Sequence, residues 1–511
     1  MRHLARTVRK HSPLFFALII ILSAYATSLR TGYFADDFDY VVRMRMDAPS
    51  FFNLATNNTD GTRVGGSWRP LTSMSYALTM SYGQGPIFNH AISLALYGAI
   101  LIALYGCIQK IFVAYGSRYA ALIVFVIGLM PIHAEPVVWI AARADLLAAL
   151  FGVSALYAWL AKWRWASILC LALSLLSKEV WIFFGFAMIL FSPGISETRR
   201  ERIRWCITLF VATSAWFIAR FLVTRYTIRG YSITDGQNVF GIRHIANEII
   251  SFFFGSWNFG ILQSGLVRFA QLHWYIFLAL VCGLAVYACI KFKNDRRFVF
   301  LSSMFVSLLA PIIMLGVPFV RPESSVAEQR YWFAPSIFFA LLFFQAIGRL
   351  RIKFHYAIIT IFVIGGLIGT RFNVALYASA AKYRDTILSG WQKNGRSDAT
   401  VFLLPDSWYG VHLFASPFFE RALAFNQLPQ PREVSLWYQW CTRFCENSPI
   451  KFSSVARGRE LRAVDPRIFS AGSHGLRYDI IVPNVGAATS STHLYWTGAT
   501  WTEGVENAKP K

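Results

Sequence analysis

Charge is scarce in this 511-residue chain: 15% of its residues are Asp, Glu, Lys or Arg, against 56% apolar. An ordinary soluble domain is about 25% charged. The composition therefore argues against a soluble multidomain enzyme, and equally against disorder, which needs few apolar residues. Acidic residues are scarcest, 26 against 49 basic, for a net charge of +23. Cysteine is also sparse. The seven Cys follow no metal-ligand spacing, and Cys107, Cys170, Cys206, Cys282 and Cys289 lie in or beside apolar runs, where thiols pack. Cys441 and Cys445, four apart, are either a local disulfide of an oxidising compartment or two free thiols. No internal repeat is visible, and no helical-repeat array.

What the chain has is a series of long apolar runs separated by basic loops, the pattern of a polytopic membrane protein. About eleven spanning helices are expected, near residues 13–30, 86–108, 118–133, 144–161, 164–178, 179–193, 205–223, 272–291, 297–319, 331–348 and 355–373. Lys178-Glu179 splits what would otherwise be one overlong run. A shorter apolar stretch at 245–262 reads as interfacial or re-entrant. The first run also fits a signal peptide, with a basic start and Ala24-Tyr25-Ala26 as a cleavage site. From residue 375 the spanning runs stop, and Pro, Gly, Ser and short β-like stretches such as Val401–Leu404 and Tyr478–Val482 appear. The expected fold class is thus an all-α polytopic membrane domain, 1–374, with a first outer loop at 31–85, followed by a mixed α/β soluble domain, 375–511.

Loop charge orients this topology. With the N-terminus in the cytoplasm, the inside segments hold Arg2, Arg6, Arg9 and Lys10; Lys110 and Arg118; Lys162 and Arg164; Arg199, Arg200, Arg202 and Arg204; Lys291, Lys293, Arg296 and Arg297; and Arg349, Arg351 and Lys353. Their only acids are Glu197, Glu201 and Asp295. This is a positive-inside pattern. It accounts for much of the basic excess without nucleic acid, and it puts the C-terminal domain outside.

Charged groups at a membrane need a reason, and those outside the basic loops gather on the outer side. Asp36, Asp37 and Asp39 follow the first run; carboxylates so close suit a metal, a general base or a cationic partner, or a solvated loop start. Trp68-Arg69-Pro70-Leu71 offers a guanidinium fork that matches phosphate, or a surface arginine. Asn89 and His90 read as a cap or an interhelical bond. The stretch from Pro131 to Leu147 holds His133, Glu135, Arg143 and Asp145 in otherwise apolar sequence; Arg143 and Asp145 can simply pair with each other, whereas Glu135 has no local partner. Lys178 is a lysine for a lipid phosphate or half of an interface ion pair. Arg330 and Tyr331, in Glu328-Gln329-Arg330-Tyr331, fit a phosphate at headgroup depth or an aromatic interface belt. Carboxylates and phosphate-reading cations on one face suit attack on a phosphate-linked electrophile carried by a membrane lipid.

The order of these motifs resembles the C-type (GT-C) glycosyltransferases. Asp-Asp after the first helix is followed by Arg-Pro-Leu, His-x-Glu-x-x-x-Trp-Ile-x-x-Arg-x-Asp-Leu-Leu, Lys-Glu and Glu-x-Arg-Tyr-x-x-x-Pro. The resemblance is strongest to the transmembrane O-mannosyltransferases with tetratricopeptide repeats and their bacterial relatives. It covers about residues 30–340 and departs in the tail, which has no repeat pattern. It implies an inverting transfer from a polyprenyl-phosphate-linked sugar to an acceptor hydroxyl on a glycan, lipid or protein. Asp36 or Asp37 would be the base, and Arg69, Lys178, Arg330 and Tyr331 would hold the lipid phosphate. His133, Glu135, Arg143 and Asp145 would form a second motif for substrate or for a divalent metal, Mg or Mn. An envelope glycan polymerase or ligase, a lipid-sugar flippase, and an assembly subunit with a decayed site are the competing readings. The compartment expected is a bacterial inner membrane with a periplasmic C-terminal domain. The alternative is an endoplasmic reticulum membrane, for which Asn57-Asn58-Thr59 offers a glycosylation pattern.

Overall fold

The computed structural model describes residues 2–46, 68–80, 85–192, 198–224, 269, 273–314, 329–348, 352–395, 397, 400–408, 411–414, 418–431, 433–441, 452–455, 460–463, 493–496 and 501–504. The stretch at 245–262, Asn57 and Cys445 lie outside the described residues, and of the Cys441 side chain nothing is described. Two compact units divide the chain: residues 1–32 with 43–378, and residues 33–42 with 379–511.

Helices make up the first unit: α1 (Arg2–Tyr25), α3 (Pro70–Met80), α4 (Pro86–Ile111), α5 (Gly116–Gly128), α6 (Ala134–Val138), α7 (Arg143–Leu160), α8 (Arg164–Ser177), α9 (Phe184–Phe191), α10 (Arg199–Thr224), α11 (Trp274–Phe292), α12 (Arg296–Met314) and α13 (Phe333–Ile347). The helix α2 (Asp36–Met46) begins in the second unit. A 43-residue helix, α14 (Ile352–Asn394), contributes to both. Each of the eleven apolar runs carries helix. Among the described residues, six helices are long and apolar enough to cross a membrane, or seven if the bent pair Gly116–Gly128 and Pro131–Val138 is one span. The chain is an integral membrane protein. Arg164–Ser177, Glu179–Phe191 and Trp274–Gly283 are apolar but shorter.

Burial separates central from peripheral helices. In Ile140–Leu160, 72% of the most apolar window is buried, against 22% in Arg199–Val223. On α10, Ile207, Phe210, Val211, Ile218 and Leu222 are exposed, as are Phe15, Phe16, Ile19 and Ile20 on α1. Apolar side chains in such stripes suit contact with hydrocarbon. The central helices approach closely because small residues permit it. A Cβ at Gly152 would overlap the Trp181 ring, and one at Gly366 would lie 2.7 Å from the Leu129 carbonyl oxygen. Hydroxyls tie α7 to α8 across an apolar seam: Ser174 donates to the Ala148 carbonyl (2.8 Å) and Ser167 to that of Ala155 (2.9 Å).

Two acids of the basic loops are helix caps. Glu201 accepts the Thr198 N–H (2.7 Å) while the Thr198 hydroxyl accepts the Glu201 N–H (3.2 Å), a capping box that starts α10. Asp295 accepts the N–H groups of Arg297 and Phe298 and so starts α12.

In the second unit, β1 (Thr400–Trp408) pairs parallel with β3 (Glu433–Cys441) and with β6 (His493–Trp496). It pairs antiparallel with β2 (Val411–His412), and β7 (Trp501–Gly504) pairs antiparallel with β6. The strands β4 (Phe452–Val455) and β5 (Glu460–Ala463) form a separate hairpin. A short helix, α15 (Phe418–Phe425), packs Phe419 edge-on against Trp391 of α14 and against Phe414.

Candidate active site

The candidate residues fall into two sets, one in each unit. In the first unit, three cations far apart in sequence are each held by a carboxylate. Arg69, just before α3, donates from Nε and Nη2 to the two oxygens of Glu179 (3.2 and 2.9 Å). This is the bidentate fork that an arginine forms with a carboxylate. Lys178 donates to Asp145 of α7 at 2.5 Å, and its ammonium sits 4.7 Å from the centre of the Tyr331 ring. The Arg330 backbone N–H donates to Glu135 (2.8 Å), and its guanidinium approaches the same carboxylate at 3.5 Å. That guanidinium lies over Trp139 (4.3 Å) and against Tyr331 (5.0 Å), where ring faces attract a cation. Arg69 and Arg330 are both near enough to Lys178 for their charges to act on it. Three cations and three carboxylates therefore share one neighbourhood, with Tyr331 between Lys178 and Arg330.

Local sequence explains this placement. Pro131 and Pro136 break the helix between α5 and α7 into short turns, which bring Glu135 to the turn Gln329–Trp332. Lys178 sits in extended backbone (φ −162°, ψ 140°) between α8 and a turn at Glu179–Trp181, so Lys178 and Glu179 reach different partners. The side chains of Lys178 and Glu135 are 6% and 2% exposed, while those of Glu179 and Arg330 reach 17% and 16%. The arginine pairs are thus the part of the cluster open to a ligand.

Several expectations are corrected here. Arg143 and Asp145 do not pair with each other. Asp145 holds Lys178, while Arg143, fully buried, donates to Thr79 (2.9 Å) and to the Asn89 side chain (2.7 Å) and lies over Tyr76 (4.9 Å). Arg143 thereby locks α3 to α4 and α7. His133 is a buried core residue: its two ring nitrogens bond the hydroxyls of Tyr97 and Ser336, both at 2.8 Å. With His133, Glu135 and Asp145 so engaged, the second motif does not fit a metal centre, and among the described residues no group of three His, Cys, Asp or Glu could hold one. Asn89 is an interhelical tie, as expected, accepting from the Thr79 hydroxyl of α3 (2.8 Å); His90 instead ties α4 to the loop after α1, through the Thr31 hydroxyl (3.2 Å) and the Gly32 carbonyl (3.0 Å).

The acidic pair belongs to the second unit. Asp37, fully buried in the first turn of α2, accepts the Phe34 N–H at 2.9 Å. Asp36 is half-buried beside it. Acids at a helix start are favoured by the backbone dipole.

Sequence reasoning missed the partners. Glu179, Trp139 and Asn89 were visible only as neighbours of candidates. Arg220 is buried on α10, with its guanidinium 5.5 Å from the centre of the Trp216 ring. A lone arginine inside an apolar run was the available signal.

No family model matches the chain. Over 136 residues, 25% of the chain, it is 29% identical to protein O-mannosyl-transferase TMTC1 of Homo sapiens, and equally to that of Mus musculus. The match spans 15% and 14% of those proteins' length. The chain is distantly similar to protein O-mannosyl-transferases over a quarter of its length.

Proposed function

We propose that the protein is a membrane glycosyltransferase that moves a sugar from a polyprenyl-phosphate donor to an acceptor hydroxyl. The observation that carries this reading is the cluster of Arg69, Lys178 and Arg330, each oriented by its own carboxylate. Cations fixed in this way keep their geometry when a phosphate arrives, and the partly exposed forks of Arg69 and Arg330 are suited to phosphate oxygens. The distant likeness to O-mannosyl-transferases supports the same class. The acceptor is a glycan, lipid or protein.

In the reaction, Asp36 or Asp37 takes the proton of the acceptor hydroxyl. The oxygen attacks the anomeric carbon from the side opposite the lipid phosphate. The carbon–oxygen bond to that phosphate breaks, the phosphate leaves with the electron pair, and configuration inverts. The leaving group is already stable, so no strong acid is required. Cations near the departing charge lower the barrier. No step is routed through a metal.

Eleven spans, with the N-terminus in the cytoplasm and the C-terminal domain outside in the periplasm of an inner membrane, complete the proposal; residues 1–374 form the catalytic domain and 375–511 the outer one. The basic loops support it. The experiment is a transfer assay on Arg330→Ala. It should raise the KM for the lipid donor by roughly tenfold or more, as loss of a charged hydrogen bond does, with the acceptor KM unchanged. An unchanged donor KM would make Arg330 an interface anchor.

A further inference from the structure

The acidic loop is held by a part of the chain more than 340 residues away, and one peptide group makes the link. The Tyr33–Phe34 peptide offers a carbonyl on one side and an N–H on the other. Its carbonyl accepts a hydrogen bond from Nη1 of Arg384, and its N–H donates to Oδ2 of Asp37 at 2.9 Å. Arg384 is itself fixed. Its Nε and Nη2 donate to the Asp385 carboxylate (2.8 and 2.6 Å), its guanidinium lies 5.0 Å from the centre of the Phe34 ring, and it is 6% exposed.

Further contacts of the loop come from the same unit. The Ala35 N–H donates to the Leu413 carbonyl (3.0 Å). Phe38 stacks on Phe414, and Tyr33 meets Phe425 edge-on. Ala35 has a φ of 39°, in the left-handed region that costs a non-glycine residue about 1 kcal/mol or more. Such a conformation persists only where its surroundings over-determine it. Here they do, through hydrogen bonds on both sides of Ala35 and rings on both flanks.

We propose that Arg384 is a positioning residue for the Asp36-Asp37 pair, acting through the Tyr33–Phe34 peptide, so that the C-terminal unit orients the base of the reaction. This rests on the reading of the pair as that base. A guanidinium on the carbonyl polarises the peptide and strengthens the N–H that Asp37 accepts, as chains of hydrogen bonds do. It also fixes where the helix α2 begins, and with it the direction of both carboxylates. The C-terminal unit thereby has a role in turnover besides any contact with acceptor.

The test uses the full-length protein in lipid nanodiscs, with radiolabelled polyprenyl-phosphate sugars as donors and membrane extract as acceptor. Arg384→Gln should lower kcat by about a hundredfold, the scale of an ångström's misplacement, with the donor KM unchanged. Arg384→Lys, which still donates to the Tyr33 carbonyl, should recover part of that loss. Lys382→Ala, an exposed change two residues away on another face of the helix, should behave as wild type. Hydrogen exchange gives a readout independent of activity: peptides over residues 31–38 should exchange faster in Arg384→Gln, while those over 386–394 keep their protection. Wild-type turnover in Arg384→Gln, in an assay where Asp36→Asn or Asp37→Asn is inactive, would overturn the inference and leave the acid-pair reading intact. Unchanged exchange over 31–38 would overturn it too. Full turnover in both Asp variants would instead remove the acid-pair reading, and the positioning role with it.

Discussion

At the scale of single residues, Arg69, Lys178 and Arg330 of the membrane unit each meet a carboxylate. Removing one partner of a buried pair strands the other, at a cost of about 3–5 kcal/mol. Arg69 and Glu179 are 10% and 17% exposed, so the lower end of that range applies. Glu179→Gln should therefore lower thermal stability, and the double variant Arg69→Met/Glu179→Gln should lose less than the two single changes added together. The check is a double-mutant cycle on melting in detergent. Strict additivity would mean that the two side chains do not depend on each other. The same cycle separates structure from function, because the double variant should keep its fold and lose donor binding.

At the scale of elements, close helix contacts position the cluster. Trp181 follows Lys178 and Glu179 by two to three residues, and it seats against Gly152 of α7. Gly152→Leu should cost about 1–3 kcal/mol through overpacking, and should also lower transfer, because the Lys178–Glu179 turn shifts with Trp181. A variant that melts and turns over like wild type would mean that this seam does not position the turn. The existence of the helices was legible in the sequence because apolar runs of membrane length have few other solutions. Pro131 and Pro136 marked the broken segment. Partners were less legible. The spacing of Arg143 and Asp145 fits a local pair, yet in a helix residues two apart point away from each other, and α7 sends one to Thr79 and Asn89 and the other to Lys178. His133 looked like a ligand because its polar neighbours, Tyr97 and Ser336, stand 36 and 203 residues away. No local pattern records such distances. The acidic pair was legible as a cluster, while its support by Arg384 was not, for the same reason.

At the scale of the whole molecule, the division into two units assigns the acidic loop to the C-terminal residues and the cation cluster to the helices. The proposed orientation rests on loop charge. Of two single-cysteine variants in a cysteine-free background, Lys110→Cys should react with a membrane-impermeant reagent only from the cytoplasmic side, and Gln430→Cys only from the opposite side. Both positions are exposed. Labelling of both from one side would overturn the proposed topology and the outer placement of the chemistry. The central claim, transfer from a lipid-linked sugar by an acidic base, is tested most directly with radiolabelled polyprenyl-phosphate sugars, purified protein and membrane extract as acceptor. The wild type should move label, and the Asp36→Asn/Asp37→Asn double variant, still folded and inserted, should be slower by about a hundredfold or more, as loss of a general base requires. Equal transfer by the two proteins, or movement of the sugar-lipid across proteoliposomes with no transfer, would contradict the account.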